Sequence, residues 1–151
     1  MTTHKSPTYL LIYDGKCNLC VSFVQAIAQL DQGENFCYLP MQDQAGLATW
    51  QIEPESCGAG MVLLEMANPT RKWQGTAAAE QIAEVFPIAN LLVSAYRALP
   101  GLKQLGDRAY AQIRDHRYQW FGERELYTSD LLPPPPQLEC KTTCDLWDTN
   151  G

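Results

Sequence analysis

None of the 151 residues belongs to an apolar run approaching the ~18 that a membrane-crossing helix needs. The opening stretch Met1-Thr-Thr-His-Lys-Ser-Pro7 also lacks the apolar centre of a secretory signal. A soluble cytoplasmic protein with no membrane span is expected. Cations are scarce too: 11 Lys and Arg stand against 17 Asp and Glu, a net charge of −6. A protein that tracks phosphate backbones needs clustered cations, so nucleic acid is not an expected partner. There is no internal repeat, no glycine-rich phosphate loop and no nucleophile elbow, and Val21 rather than His follows Cys20, which excludes a haem-attachment motif. No cofactor is expected.

What is present is enough apolar material, 46% of the chain, for one domain with a sizeable core. Six cysteines accompany it. In a secreted protein they would suggest a disulfide framework, but in a reducing compartment such cysteines more often bind metal or carry redox chemistry. Their spacing separates the cases: Cys17 and Cys20 form a tight pair, Cys37 and Cys57 stand alone, and Cys140 and Cys144 form a looser pair.

Tyr9-Leu-Leu-Ile-Tyr13 is a continuous apolar, β-favouring run, read as a strand covered on both faces and broken by Asp14-Gly15. From Cys17, the positions Cys20, Phe23, Val24, Ile27 and Leu30 recur at three and four, the face of a helix ending near Gly33. Phe36 to Leu39 reads as a second strand closed by Pro40, and Gln42 to Trp50 as a short helix. Met61 to Met66 and Arg71 to Trp73 read as a hairpin turning at Asn68-Pro69. Thr76 is a candidate N-cap for a helix to Val85 or Phe86; further helices follow from Pro87 to Leu99 and from Gly101 to Phe121, weakened at Gly106 and stopped by Gly122. Pro133 to Pro136 predicts a stiff extended spacer before an acidic tail. The body is thus 1–122 and the spacer with its tail 123–151.

The cysteine pair sits where a strand hands over to a helix. There a sulfur meets unpaired N–H groups and the positive end of the helix dipole, which favour thiolate over thiol. Cys17 is the natural nucleophile, and Cys20, one turn on, resolves the mixed disulfide. Lys16 is placed to assist the thiolate. Asp14 would oppose it, so its role is read as holding the turn or handling protons. Zinc is the alternative, with Cys140 and Cys144 completing a four-cysteine set, but zinc knuckles sit on β-turns rather than at a strand-to-helix junction. A redox-inert interaction domain is the other.

Asp14-Gly15-Lys16-Cys17-Asn18-Leu19-Cys20 resembles the Asp-Gly-x-Cys-x-x-Cys signature of the DCC family of thiol-disulfide oxidoreductases. Arg117-Tyr118-Gln119-Trp120-Phe121-Gly122 resembles that family's later Arg-Tyr-x-Trp-Phe-Gly segment. The resemblance spans roughly Tyr9 to Gly122. It implies a thioredoxin-like α/β fold, a central mixed sheet of about four strands flanked by helices with additional C-terminal helices. It further implies Cys17 and Cys20 as the redox pair, Asp14 as the signature acid, and protein or small-molecule thiols and disulfides as substrates. Two departures accompany it. No proline adjoins Met61, where Cys57-Gly-Ala-Gly60 stands in place of the usual cis-proline, and Glu123 to Tyr127 contains no cysteine.

Of the remaining candidates, Cys37 reads as a buried, inert thiol, and Cys57 as a loop thiol passing near the pair. His116 is expected to be solvated or capping, and His4 to lie in a frayed terminus. Tyr118, Trp120 and Phe121 are expected to dock a helix end on the core. Arg97, Lys103, Arg108, Arg114 and Arg117 make the late helices locally basic, read as a solvated face.

Overall fold

The computed structural model describes residues 7–136, so His4, Cys140 and Cys144 lie outside the described residues. Strand β1 (Tyr9–Tyr13) runs parallel to β2 (Phe36–Pro40), in register Leu10 with Cys37 and Ile12 with Leu39. The crossover between them is helix α1 (Asn18–Asp31). After α2 (Gln44–Thr49) and a short 3-10 turn at Pro54–Ala59, β3 (Val62–Glu65) lies antiparallel to the other side of β1 and pairs with the edge strand β4 (Asn68–Gln74). The order β2-β1-β3-β4 gives the expected mixed α/β, thioredoxin-like sheet, followed by α3 (Thr76–Val85), α4 (Pro87–Ala98) and α5 (Leu102–Phe121).

The period-two alternation of β1 explains its apolar continuity. Leu11 and Tyr13 face one core with Val24, Ile27, Phe36, Leu63 and Ile82, whereas Leu10 and Ile12 face a second with Cys37, Leu39, Leu47, Trp50 and Leu64. A strand with helices on both sides has no polar face to offer.

Three local expectations are corrected. The hairpin turns at Met66-Ala67, because Glu65 pairs with Asn68 beyond a register shift at Leu64/Glu65. Pro69 is tolerated in β4 because that strand forms the sheet edge. Helix α1 buries Val21, Val24, Ile27, Ala28 and Asp31, one position round from the anticipated stripe, and leaves Leu30 exposed. Asp31 is buried because its carboxylate accepts from the Asn35 and Phe36 amides at 2.9 Å each, fixing the turn into β2. Gly75 rather than Thr76 occupies the α3 N-cap, and the Thr76 hydroxyl instead bonds Asp107 of α5 at 2.5 Å.

Helix α5 runs unbroken through Gly106, where a Cβ would stand 2.1 Å from the Tyr96 hydroxyl. The glycine is there for the close approach of α4, and the Tyr96 hydroxyl donates to the Lys103 carbonyl at 3.1 Å. From Gly122 to Pro133 the chain stays against the body. Leu132 is buried in the first core, and the Tyr38 amide donates to the Pro133 carbonyl at 2.9 Å, occupying part of the free edge of β2. The proline run is therefore anchored at its start.

Candidate active site

Strand β1 ends at Tyr13, and the four residues before α1 form a turn tied by Asp14. The Asp14 carboxylate accepts from the Lys16 amide at 3.0 Å, and the Cys17 amide donates to the Asp14 carbonyl at 3.3 Å. Cys17 is the N-cap of α1 in extended backbone. No side chain caps the helix and no acid stands in its first turn, so the carboxylate that acts against the field of the helix start is that of Asp14 in the preceding turn.

Asp14 is only 3% exposed yet fully engaged. Besides Lys16 it accepts from Gln42 Nε2 at 2.7 Å and from the Tyr118 hydroxyl, and it pairs with the Arg117 guanidinium at 3.2 Å. Arg117 lies over the Tyr118 ring, 5.0 Å from its centroid. Burial, and then the neighbouring Asp14, push the Tyr118 phenol up to about 12. Two motifs a hundred residues apart in the sequence thus meet at one carboxylate: Asp14 holds its own turn and also locks the end of α5 against it.

Cys17 and Cys20 are both free thiols at the start of α1. Burial first, then the neighbouring Cys17, raise the Cys20 thiol to about 12, while Arg117 opposes the rise and Asp14 adds to it. The cation beside the pair is Arg117; Lys16 is exposed and contributes its backbone amide. Sequence reasoning placed Arg117 on a solvated face, and the only signal for its real place was its membership of the later motif. The other late-helix cations divide differently. Arg97 pairs with Glu80 and Glu84, Lys103 with Glu80 and Asp107, Arg114 with Asp115, and Arg108 is exposed.

Exposure separates the sulfurs in an unexpected order. Cys17 has 0% of its surface exposed and Cys20 is half-buried. A strap from Gly122 to Tyr127 covers Cys17: the Asn18 amide donates to the Gly122 carbonyl at 3.3 Å, and Cys17 is bridged to Glu123. The Arg124 and Tyr127 amides donate to Lys16 and Gly15 at 2.9 Å each. The Tyr13 hydroxyl holds the Tyr127 carbonyl at 2.9 Å.

On its other side Cys20 opens into a cavity of about 250 Å³ with Leu19, Phe23, Met61, Tyr110 and Ile113 among its walls, and Arg117 also lines it. A narrow cleft joins Cys20, Cys57, Gly60 and Arg117, so the Cys57 loop does come up to the pair. Burial raises the Cys57 thiol. Gly60, φ +126°, stands where the cis-proline was missed, and a Cβ there would lie 2.6 Å from the Tyr110 hydroxyl. Cys37 is fully buried beneath the sheet, with its thiol 3.4 Å from the Tyr9 carbonyl and pushed up to about 12 by burial.

The aromatic helix end departs from expectation. Trp120 is 56% and Phe121 44% exposed, whereas Arg117 and Tyr118 of the same turn are the residues that meet Asp14. Trp120 stacks on His116 at 4.9 Å, and His116 is half-buried with Nδ1 against the Gln112 carbonyl. Trp73 packs on Tyr9 away from them. Among the described residues no group of three or more His, Cys, Asp or Glu is placed to hold a metal, and no helix is long and apolar enough to cross a membrane.

Residues 11–123 match the family model of DCC1-like thiol-disulfide oxidoreductases. The chain belongs to that family. It is similar to the "Uncharacterized protein YuxK" of Bacillus subtilis (strain 168), 25% identical over 150 residues that cover 92% of this chain and 96% of the relative. No solved structure matches significantly.

Proposed function

We propose that this member of the DCC1-like family carries out thiol-disulfide exchange through a reversible disulfide between Cys17 and Cys20. The observation that carries the reading is the placement of two free thiols at the start of α1, Cys17 at the N-cap and Cys20 in the first turn. Forming the disulfide removes two electrons and two protons from the pair, and the spacing of one helical turn brings the sulfurs together without moving the strand. Cys17 stands at the N-cap of α1, while Cys20, raised to about 12, keeps its proton. Asp14 supplies the clamp that holds turn and helix end together. Residues 1–122 form the catalytic unit, and protein or small-molecule thiols and disulfides are the substrates. A dithiol that cycles by exchange suits the reducing cytoplasm.

Redox titration of the purified chain, with mass mapping of all six cysteines, tests this. The expected result is one two-electron transition that links Cys17 to Cys20. Failure to form that disulfide across physiological potentials refutes the reading and favours an interaction domain. Stoichiometric zinc in protein purified without added metal favours the zinc module instead.

A further inference from the structure

Position at the helix start selects Cys17, but access selects the other sulfur. An incoming sulfur must approach in line with the bond it breaks, and the strap Gly122 to Tyr127 leaves Cys17 no surface for that approach. Cys20 is open toward the cavity of about 250 Å³. An apolar cavity of about 150 Å³ already accommodates benzene, so this one holds an aromatic ring together with the arm that bears its sulfur. Two cations stand in its lining, Arg114, which pairs with Asp115, and Arg117. Arg117 is 9% exposed, its terminal nitrogen is held by Asp14, and its Nε–H is buried with no partner among the described residues. A buried, unpaired guanidinium donor is costly unless an acceptor arrives to satisfy it.

We propose that the substrate sulfur is taken up on Cys20 inside this cavity, that the substrate is a small thiol with an aromatic body and a nearby carboxylate or carbonyl for Arg117, and that Cys17 reacts only with Cys20. The proposal rests on the reading that the pair is redox-active. In the step itself, the substrate thiolate attacks Cys20 Sγ of the Cys17–Cys20 disulfide. The Cys20–substrate bond forms, the Cys17–Cys20 bond breaks, and the electron pair leaves on Cys17 as thiolate, where the helix start stabilises it. A second substrate thiolate then attacks the bound substrate sulfur, giving the substrate disulfide and releasing Cys20, which takes a proton from water. Two thiols have been oxidised and one protein disulfide reduced. In reverse, the Cys17 thiolate attacks the mixed disulfide on Cys20 and expels the substrate thiolate.

The test mixes the oxidised full-length protein, its Cys17–Cys20 disulfide verified by mapping, with mercaptobenzoate, thiophenol or glutathione at equal thiolate concentration. Acid quenching and peptide mass mapping then locate the adduct. The expected adduct is on Cys20, with Cys17 free to be alkylated. Mercaptobenzoate should react faster than glutathione by roughly tenfold or more, a discrimination within reach of buried apolar and polar contacts, with thiophenol between them. An Ile113→Asp variant, altered at a cavity wall that is 38% exposed, should lose the preference for aryl thiols. An adduct on Cys17 or Cys57, or equal rates for mercaptobenzoate and glutathione, overturns the proposal. Failure of the starting protein to form its disulfide instead overturns the exchange reading beneath it, and the mapping of that material tells the two failures apart.

Discussion

If one carboxylate joins the two motifs, then cutting the joint from either side should cost less in combination than separately. Asp14→Ala removes the counter-ion of a buried guanidinium and the acceptor of the Tyr118 hydroxyl, the Gln42 amide and the Lys16 N–H. Breaking a buried pair from one side costs about 3–5 kcal/mol. Tyr118→Phe removes a single donor to a carboxylate that keeps its three other partners, so its cost lies near the lower end for charged hydrogen bonds, about 1.5 kcal/mol. In the Asp14→Ala background the Tyr118 hydroxyl has already lost its acceptor, so deleting it should be close to neutral. The coupling is therefore expected at about 1.5 kcal/mol, within the range for residues in one network.

Urea unfolding of wild type, both single variants and the double variant measures it. With a slope of roughly 2 kcal/mol per molar urea, Asp14→Ala shifts the midpoint by about 2 M and Tyr118→Phe by somewhat under 1 M. The total stability of such a domain is about 5–15 kcal/mol, so Asp14→Asn, which keeps the shape, serves if the alanine variant does not fold. Strict additivity, within about 0.5 kcal/mol, would refute the shared joint. A second readout is chemical. Because Asp14 adds to the elevation of the Cys20 thiol and Arg117 opposes it, neutralising Asp14 should move the Cys20 alkylation profile to lower pH, and a shift the other way would contradict the assigned geometry.

Gly106→Ala should bring none of the roughly 1 kcal/mol that alanine normally adds to a helix interior, because its methyl meets the Tyr96 hydroxyl; a Tyr96→Ala background should restore the gain, as seen in thermal melts. Leu132→Ala should destabilise by about 2–3 kcal/mol if the chain beyond Gly122 is part of the core, and denaturant midpoints unchanged from wild type would return that segment to a free spacer. Cys37 provides a pH test. Its folded thiol is raised from 9.0 to about 12 by burial, so the stabilising contribution of the protonated form is present below the ordinary value and is lost as pH climbs toward 12. Urea midpoints should fall over that window, and less steeply in Cys37→Ala; parallel curves would argue that Cys37 does not titrate there.

Periodicity revealed the elements that lie within one local stretch. The unbroken apolar run of β1, the cysteine-to-leucine spacing of α1 and the start of α4 at Pro87 all have causes within a few residues. Features decided by a distant partner were not legible in this way. Asn68-Pro69 is a strong turn signal on its own, yet the pairing of Glu65 with Asn68 moved the turn two residues earlier. The exposure of Trp120 and the burial of Arg117, three residues apart on one helix, depend on which flank of α5 meets Asp14. The motifs were visible as strings, but nothing in either string states that they touch.

That contact explains why an acid stands so close to a dithiol it should disfavour. Arg117 brings a donor and a positive charge to Cys20, and a guanidinium this deeply buried requires a counter-ion to remain charged without a large penalty. Asp14 is that counter-ion, so its own unfavourable field at Cys20 comes with a larger object, an arginine held beside the sulfurs with one N–H still unspent. The same carboxylate fixes the turn that sets Cys17 at the helix start. Replacing the acid with a neutral residue would relieve Cys20 of one repulsion, yet it would free the end of α5 from which the strap over Cys17 departs. On the reading proposed above, Asp14 belongs to the site because it keeps the cation, the turn and the strap in one arrangement.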